Sequence, residues 1–398
     1  MNFLPKAAFV AEKVVAVLLP RREVFGAVGA GAVSRVVRNV CLHSKSREHM
    51  VVLGCPVEQP YPDVSFVPIT PEFWLPGSRT ARYLAGVVRA LRRLRTHVVE
   101  IHNRPRYVAT VKRKLPGVSI ILYLHNDPQT MKGFARVRAR ARLLEQTGAV
   151  VCVSGFIRAR LLEGLSEHAG RNRVHVILNG IDSRRFTPPA PGGKRREIVL
   201  AGRLIPDKGG GLFAGAMGRI LPELPGWKAV LIGRCGFSNP SRVTPFEQQV
   251  VEQFRRLAHQ GEVTGYLGHE RVMARFRDAA IAVVPSLWDD PCPLTVCEAL
   301  ASGCAVVATT RGGLPEVVGD AGVLLETETP EALAGVLMGL IQDDERRCDL
   351  QRRARQRAVG KLDIRAACAH LDQIRQKLLG DTCALSDVSY RARRRSTE

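Results

Sequence analysis

The feature that most constrains this chain is an alternation. Short aliphatic and β-branched runs at residues 14–19, 98–102, 120–125 and 150–154 recur between longer amphipathic stretches, and the rhythm resumes at 198–201, 228–233, 281–285 and 305–308. Runs that are apolar at consecutive positions bury both faces, as parallel strands do when helices cover the sheet on either side. Between the two series lies RRFTPPAPGGKRRE, residues 184–197, whose three prolines, two glycines and five basic residues cannot continue a helix or a central strand. The expected fold is therefore α/β, with two Rossmann-like doubly wound domains facing each other across a cleft. Residues 1–185 form the first, 186–197 a linker and 198–365 the second. Over 366–398 a helix returns to the first domain and ends in a basic tail, frayed from Arg391.

Other classes are excluded by composition. Of the 398 residues, 45% are hydrophobic and 24% charged, which is far from the bias of a disordered chain. Ten cysteines without a CxxC pair or a Cys/His cluster at zinc spacing read as reduced thiols of a cytoplasmic protein, with no disulfide and no metal. The apolar start is broken by Glu12 and Lys13, and nothing approaches the ~18 uncharged apolar residues of a membrane span. The net charge of +22 is uneven: residues 1–190 hold 30 basic and 12 acidic residues, the remainder 29 and 25. The first half therefore faces something anionic, such as phosphate-bearing lipid, polysaccharide or nucleic acid.

Two motifs in the second half suit a diphosphate. The run ending at Ala201 leads into Gly202-Arg203 and then Asp207-Lys208-Gly209, which puts two cations five residues apart on a turn opening into a helix. Arginine offers a planar fork of donors and lysine a mobile point charge. Taken alone, the pair is equally a strand-to-helix turn with solvated charges. The run ending at Pro285 leads into an acidic loop, then to Pro293 and a helix stopping near Gly303. The free N–H groups of Leu294 and Thr295 would face an anion. Asp290 precedes this helix and Glu298 lies eight residues later, inside it. A helix cap explains one carboxylate but gives no reason for Arg203 and Lys208.

With these residues, Asn179-Gly180-Ile181-Asp182 followed by Phe186, and Arg311-Gly312-Gly313-Leu314-Pro315-Glu316, the chain resembles the family 4 retaining glycosyltransferases of GT-B architecture, from the loop near Gly29 to about Leu325. The resemblance implies that Arg203 and Lys208 hold the diphosphate of a nucleotide-sugar donor and that Glu298 binds the ribose hydroxyls. Asp290 falls where the family has a glutamate, one methylene longer, and the resemblance places it at the donor sugar. It also implies donor contacts from Gly29, Ala30 and Gly31 in the run VFGAVGAGAV, residues 24–33, and a sugar-contacting histidine at His125. His125 ends a strand run, where α/β sheets bind ligands. His102 and Asn103, at the end of 98–102, are candidates for the acceptor side.

Arg89, Arg92, Arg93, Arg136 and Arg140 lie in basic amphipathic stretches of the first half, either a solvated surface or a face for an anionic membrane. The activity implied is transfer of a sugar to a saccharide or polyprenyl-diphosphate-linked acceptor, in cell-surface polysaccharide or lipopolysaccharide synthesis. The enzyme would be cytoplasmic and peripheral at the inner membrane face. No metal or other cofactor is implied, because the two cations and a helix N-terminus can neutralise the leaving diphosphate. The rivals are a GT-B sugar-nucleotide epimerase, a phosphorylase, for which no pyridoxal-bearing lysine stands out, and a nucleic-acid-binding protein. Against the last, aromatic residues make up only 6% of the chain and none interleave with a basic run.

Overall fold

The computed structural model describes residues 13–394 except 75, 168, 169, 191 and 236–242, with side chains in the final helix described as far as residue 380. Two parallel sheets organise it. The first contains β1 (Val14–Leu18), β2 (Met50–Gly54), β3 (Phe66–Pro68), β4 (Thr96–His102), β5 (Ser119–Leu124), β6 (Ala149–Cys152) and β7 (Val174–Val176), in the order β3-β2-β1-β4-β5-β6-β7. The second contains β8 (Arg195–Ala201), β9 (Lys228–Ile232), β10 (Gly261–Gly265), β11 (Ala279–Val284), β12 (Ala305–Thr309) and β13 (Gly322–Leu325), in the order β10-β9-β8-β11-β12-β13. Both are doubly wound, and the central strands β1, β2, β11 and β12 are buried at every position, the two-sided burial that their consecutive apolar residues require.

The helices of the first domain are α1 (Ala32–His43), α2 (Arg79–Arg93), α3 (Pro105–Lys114), α4 (Val137–Gln146) and α5 (Gly155–Leu162). Those of the second are α6 (Gly210–Ile220), α7 (Pro245–Arg255), α8 (His269–Asp278), α9 (Leu294–Ala301), α10 (Leu314–Val318), α11 (Pro330–Gln342) and α12 (Asp344–Lys361). The last helix, α13 (Ile364–Arg394), crosses back and packs on α1, β4 and β5. Among the described residues no helix is long and apolar enough to cross a membrane.

Two boundaries differ from the sequence reading. Residues 195–197, expected in the linker, already belong to β8, because that strand is central and finds partners on both sides: Arg195 opposite Ala279 of β11 and Glu197 opposite Lys228 of β9. The backbone stays helical to Arg394, past the expected fraying at Arg391, while the last four residues of the basic tail lie outside the described residues. The Asn179-Gly180-Ile181-Asp182 motif lies at the crossing of the two domains. Ile181 bridges to Asp363, Arg365 pairs with Asp182 at 2.8 Å, and a Cβ on Gly180 would meet the Ile364 Cα at 2.6 Å. These residues lock the point where the chain returns.

Candidate functional site

In a doubly wound sheet, ligands bind at the carboxyl ends of the strands where the order reverses. In the second sheet that point lies between β8 and β11, whose following segments carry both expected motifs. Past Gly202 and Arg203 a single 3-10 turn, Pro206–Lys208, ends at Gly209, whose φ of +70° and the 1.9 Å a Cβ would leave to the Pro285 carbonyl oxygen admit only glycine. The two loops therefore touch backbone to backbone, and Leu287 N–H donates to the Asp207 carbonyl at 2.8 Å. This brings the Lys208 ammonium into an ion pair with Asp290, with its nitrogen 5.1 Å from the centre of the Trp288 ring. A small cavity beside them is lined by Gly202, Lys208, Ser286, Asp290, Pro293 and Thr295. Arg203 is exposed, and its guanidinium has no partner among the described residues.

Pro293 is the N-cap of α9, and no backbone bond satisfies the N–H groups of Leu294 and Thr295, as the first turn of a helix dictates. One turn in, Glu298 is buried. It accepts a hydrogen bond from His269 Nε2 at 2.9 Å and pairs with Arg35 Nη2 at 3.2 Å. Burial opposes its charge, but Arg35 and His269 more than offset this and hold the carboxyl below the usual glutamate range. Arg35 belongs to α1, so this ion pair spans the cleft. Gly312, at φ +60°, lets the loop before α10 lie against Asp289 and Asp290, where a Cβ would come within 2.5 Å of the Asp290 carbonyl oxygen.

On the facing side, the loop of Gly29, Ala30 and Gly31 leads from β1 into α1, with Gly31 as N-cap. Glu23 occupies part of that helix end, because both N–H and Oγ of Ser34 donate to its Oε1, at 3.1 and 3.0 Å. His125 follows β5, and its Nε2 lies 2.9 Å from Nδ1 of His102. Burial first, and then His102, push the His125 imidazole well below its usual range, so it is neutral. Of the two residues expected on the acceptor side, His102 is set behind His125, whereas Asn103 is as exposed as His125 itself. His102 is 1% exposed, within the core behind His125, and Asn103 is 7% exposed with its Oδ1 accepting the His125 N–H at 3.3 Å. Residue 102, the last of β4, shares a face of the strand with Glu100, and α13 packs against that face. Asn103, at φ +53°, turns the chain back over it.

Motif residues to which the sequence reading gave no individual role tie the two sides together. The Glu316 carboxylate crosses the cleft and accepts the N–H groups of Gly155 and Phe156, at 2.6 and 2.8 Å, at the start of α5. Asn179 Nδ2 donates to the Cys292 carbonyl at 2.7 Å. Arg35 and His269 have only one sequence signal, their positions at the starts of helices after glycine-bearing loops. The basic stretches also need correction, since Arg140 is 2% exposed and its guanidinium donates to the carbonyls of Leu161, Phe134, Ala135 and Glu163. It holds α4 to the end of α5 and cannot meet an external surface. Arg89 pairs with Glu72, while Arg92, Arg93 and Arg136 remain exposed.

Comparison with known proteins places this geometry. Residues 184–357 match the family profile described as glycosyl transferases group 1, and residues 33–185 match glycosyltransferase family 4. The Bacillus subtilis protein YtcC is 24% identical over 380 residues, covering 89% of each chain. The lipopolysaccharide 1,2-N-acetylglucosaminetransferase of Salmonella typhimurium is 21% identical over 234 residues, 56% of this chain and 57% of its own. Among solved structures, Anabaena HepE in complex with UDP and glucose superposes with a TM-score of 0.71 at 15% identity, covering 91% of this chain and 99% of its own, which shows the shared GT-B fold.

Proposed function

Because the chain belongs to the group 1 and family 4 glycosyltransferases, we propose that it moves a sugar from a nucleotide-sugar donor, with retention at the anomeric carbon, to a saccharide or polyprenyl-diphosphate-linked acceptor in cell-surface polysaccharide or lipopolysaccharide synthesis. One observation carries the donor assignment: Arg203, the Lys208–Asp290 pair and the unsatisfied N–H groups of Leu294 and Thr295 converge at the switch point of the second sheet. The Lys208 ammonium has three donors, so it can keep Asp290 while binding a phosphate oxygen. Asp290 then has a carboxylate oxygen left for a hydroxyl of the transferred sugar. Glu298, charged and already hydrogen-bonded, accepts the ribose hydroxyls by exchanging or sharing Arg35. As the bond to the sugar breaks, negative charge grows on the departing diphosphate, and preorganised donors stabilise it there without a metal ion.

The acceptor side is read from charge. From Trp74 to Asn126 the only acidic residue is Glu100, which is buried. The outer faces of α2 and α3 expose Arg79, Arg92, Arg93, Arg106, Lys112 and Arg113, and Phe73 and Trp74 are 67% and 72% exposed just before α2. This combination suits peripheral contact with an anionic leaflet at the cytoplasmic face of the membrane.

A donor screen tests the reading. Purified protein is incubated with UDP-, GDP- and ADP-sugars, with and without EDTA, and release of nucleoside diphosphate is followed. Slow release from one class, unaffected by chelation, is expected, and the anomeric configuration of the transferred sugar reports retention. Formation of an epimerised sugar nucleotide or a sugar 1-phosphate would replace transfer with one of the rival activities. Abolition by EDTA would overturn the metal-free part.

A further inference from the structure

Behind His125 runs a file of buried polar side chains that the transfer reaction as described above does not use. Glu100 and His102 lie two residues apart on β4 and so share a face of the strand. Nε2 of His102 is 3.9 Å from Oε2 of Glu100, and its Nδ1 is 2.9 Å from Nε2 of His125. Glu100 is clasped by Arg375 of α13, Nε to Oε1 at 2.6 Å and Nη2 to Oε2 at 2.9 Å. Arg375 Nη1 continues to Asp372 at 2.8 Å and to Ser44 at 2.9 Å. Every member is buried. Tyr123 stacks on both histidines, with ring centres 4.9 and 4.8 Å apart, and fixes the planes of the two imidazoles.

Two neutral imidazoles joined through one hydrogen bond can place its proton in two ways. With the proton on His102 Nδ1, the lone pair of His102 Nε2 would face the Glu100 carboxylate, a repulsion that a low-dielectric interior magnifies. With the proton on His102 Nε2, an N–H dipole points at the carboxylate instead. Nδ1 of His102 then accepts, and His125 must donate from Nε2. His125 has no other hydrogen-bonding partner among the described residues for its Nδ1.

We infer that Glu100, held in place by Arg375, is a positioning residue that sets the tautomer of His102 and through it that of His125, so that His125 offers an unprotonated Nδ1 to the cleft as acceptor for a hydroxyl of the donor sugar. The identity of that hydroxyl-bearing ligand rests on the function proposed above, whereas the tautomer does not. A helix at the far end of the chain thereby decides whether a residue at the cleft donates or accepts.

The test uses the full chain with 15N-labelled histidine. Long-range 1H–15N spectra of the ligand-free protein, assigned with His102→Gln and His125→Gln, should show both rings as Nε2–H tautomers. In Glu100→Gln, whose side-chain amide no longer repels a lone pair, the His125 signal should move towards a mixture with the Nδ1–H form. An Nδ1–H tautomer at His125 or an imidazolium at His102 in the wild-type protein would overturn the inference. So would an unchanged His125 tautomer in folded Glu100→Gln. If that variant does not fold, the wild-type spectrum alone decides. In a kinetic arm, donor analogues deoxygenated one position at a time should reveal one hydroxyl whose loss lowers kcat/KM about tenfold in the wild-type enzyme, with most of that discrimination gone in Glu100→Gln. Equal discrimination in both proteins counts against the proposal. Inactivity of the wild-type protein with every sugar nucleotide would sink the donor assignment while leaving the tautomer measurement standing.

Discussion

The two sheets share one winding pattern yet build their halves of the cleft differently. In the second domain the chemistry comes from loops directly after β8 and β11, where backbone touches backbone, glycines are required and the charged residues lie within a few positions of them. In the first domain the strand end at His125 depends on a side chain recruited from far away, Arg375 of α13, behind Glu100 and His102. A diphosphate held by a turn and a helix end is recognised locally. A neutral imidazole at a strand end needs a supporting core, which only tertiary packing supplies.

The largest effect should separate the halves outright. Arg203→Ala and Lys208→Ala should each lower turnover by roughly 30- to 1000-fold, the ~2 to 4 kcal/mol of one preorganised donor to developing charge. Arg203→Ala should melt at the wild-type temperature because its guanidinium is exposed and unpartnered among the described residues. Lys208→Ala leaves Asp290 buried without its ion pair and should melt lower. Near-normal turnover in both variants would remove the diphosphate assignment.

Within the second domain the two carboxylates should come apart. Asp290→Asn should lower turnover with the sugar nucleotide while calorimetry finds nucleoside diphosphate affinity nearly unaltered; equal losses would place this residue at the nucleotide. Glu298→Gln should weaken nucleoside diphosphate binding about tenfold, as expected when a charged acceptor becomes a neutral one. An unchanged Kd would reduce Glu298 to a structural residue.

The asymmetry of charge predicts that membrane association belongs to the first domain. Co-sedimentation with anionic vesicles should fall several-fold when Arg92, Arg93 and Arg113 are replaced by glutamine, and again when Phe73 and Trp74 become serine. It should also weaken as salt rises, since exposed charges are screened beyond ~8 Å at physiological ionic strength. Arg140→Gln is the internal control: it should lower the melting temperature without changing partitioning of the folded protein. Equal partitioning of all variants at low salt would make the basic face a solvated surface. The smallest effect is expected across the cleft, where Arg35→Ala frees Glu298 of a half-exposed partner and should tighten nucleoside diphosphate binding by no more than about threefold. Weaker binding would make Arg35 a ligand of the nucleotide itself.

Much of the architecture is legible in the sequence, for a simple reason. Consecutive apolar residues at β5, β8 and β11 have no use unless both faces are buried, and a segment with three prolines cannot be either regular element, so two parallel α/β units follow from local chemistry. Arg203 and Lys208 stood out because holding a diphosphate at a turn needs cations at short spacing, whereas the roles expected of Asp290 and Glu298 came from the family resemblance. Short strands such as β3 and β7, with three residues each, carry too few side chains to stand out. Which partners the charged groups take, Lys208 with Asp290, Glu298 with Arg35 and His269, Glu316 with the start of α5, depends on the docking of one domain against the other. The role of His102 turned on burial: it ends a strand run, as His125 does, yet it is 1% exposed against 7% for His125. Only the return of α13, bringing Arg375 to a carboxylate 275 positions away in sequence, reveals that Glu100 is paired and what stands behind His125.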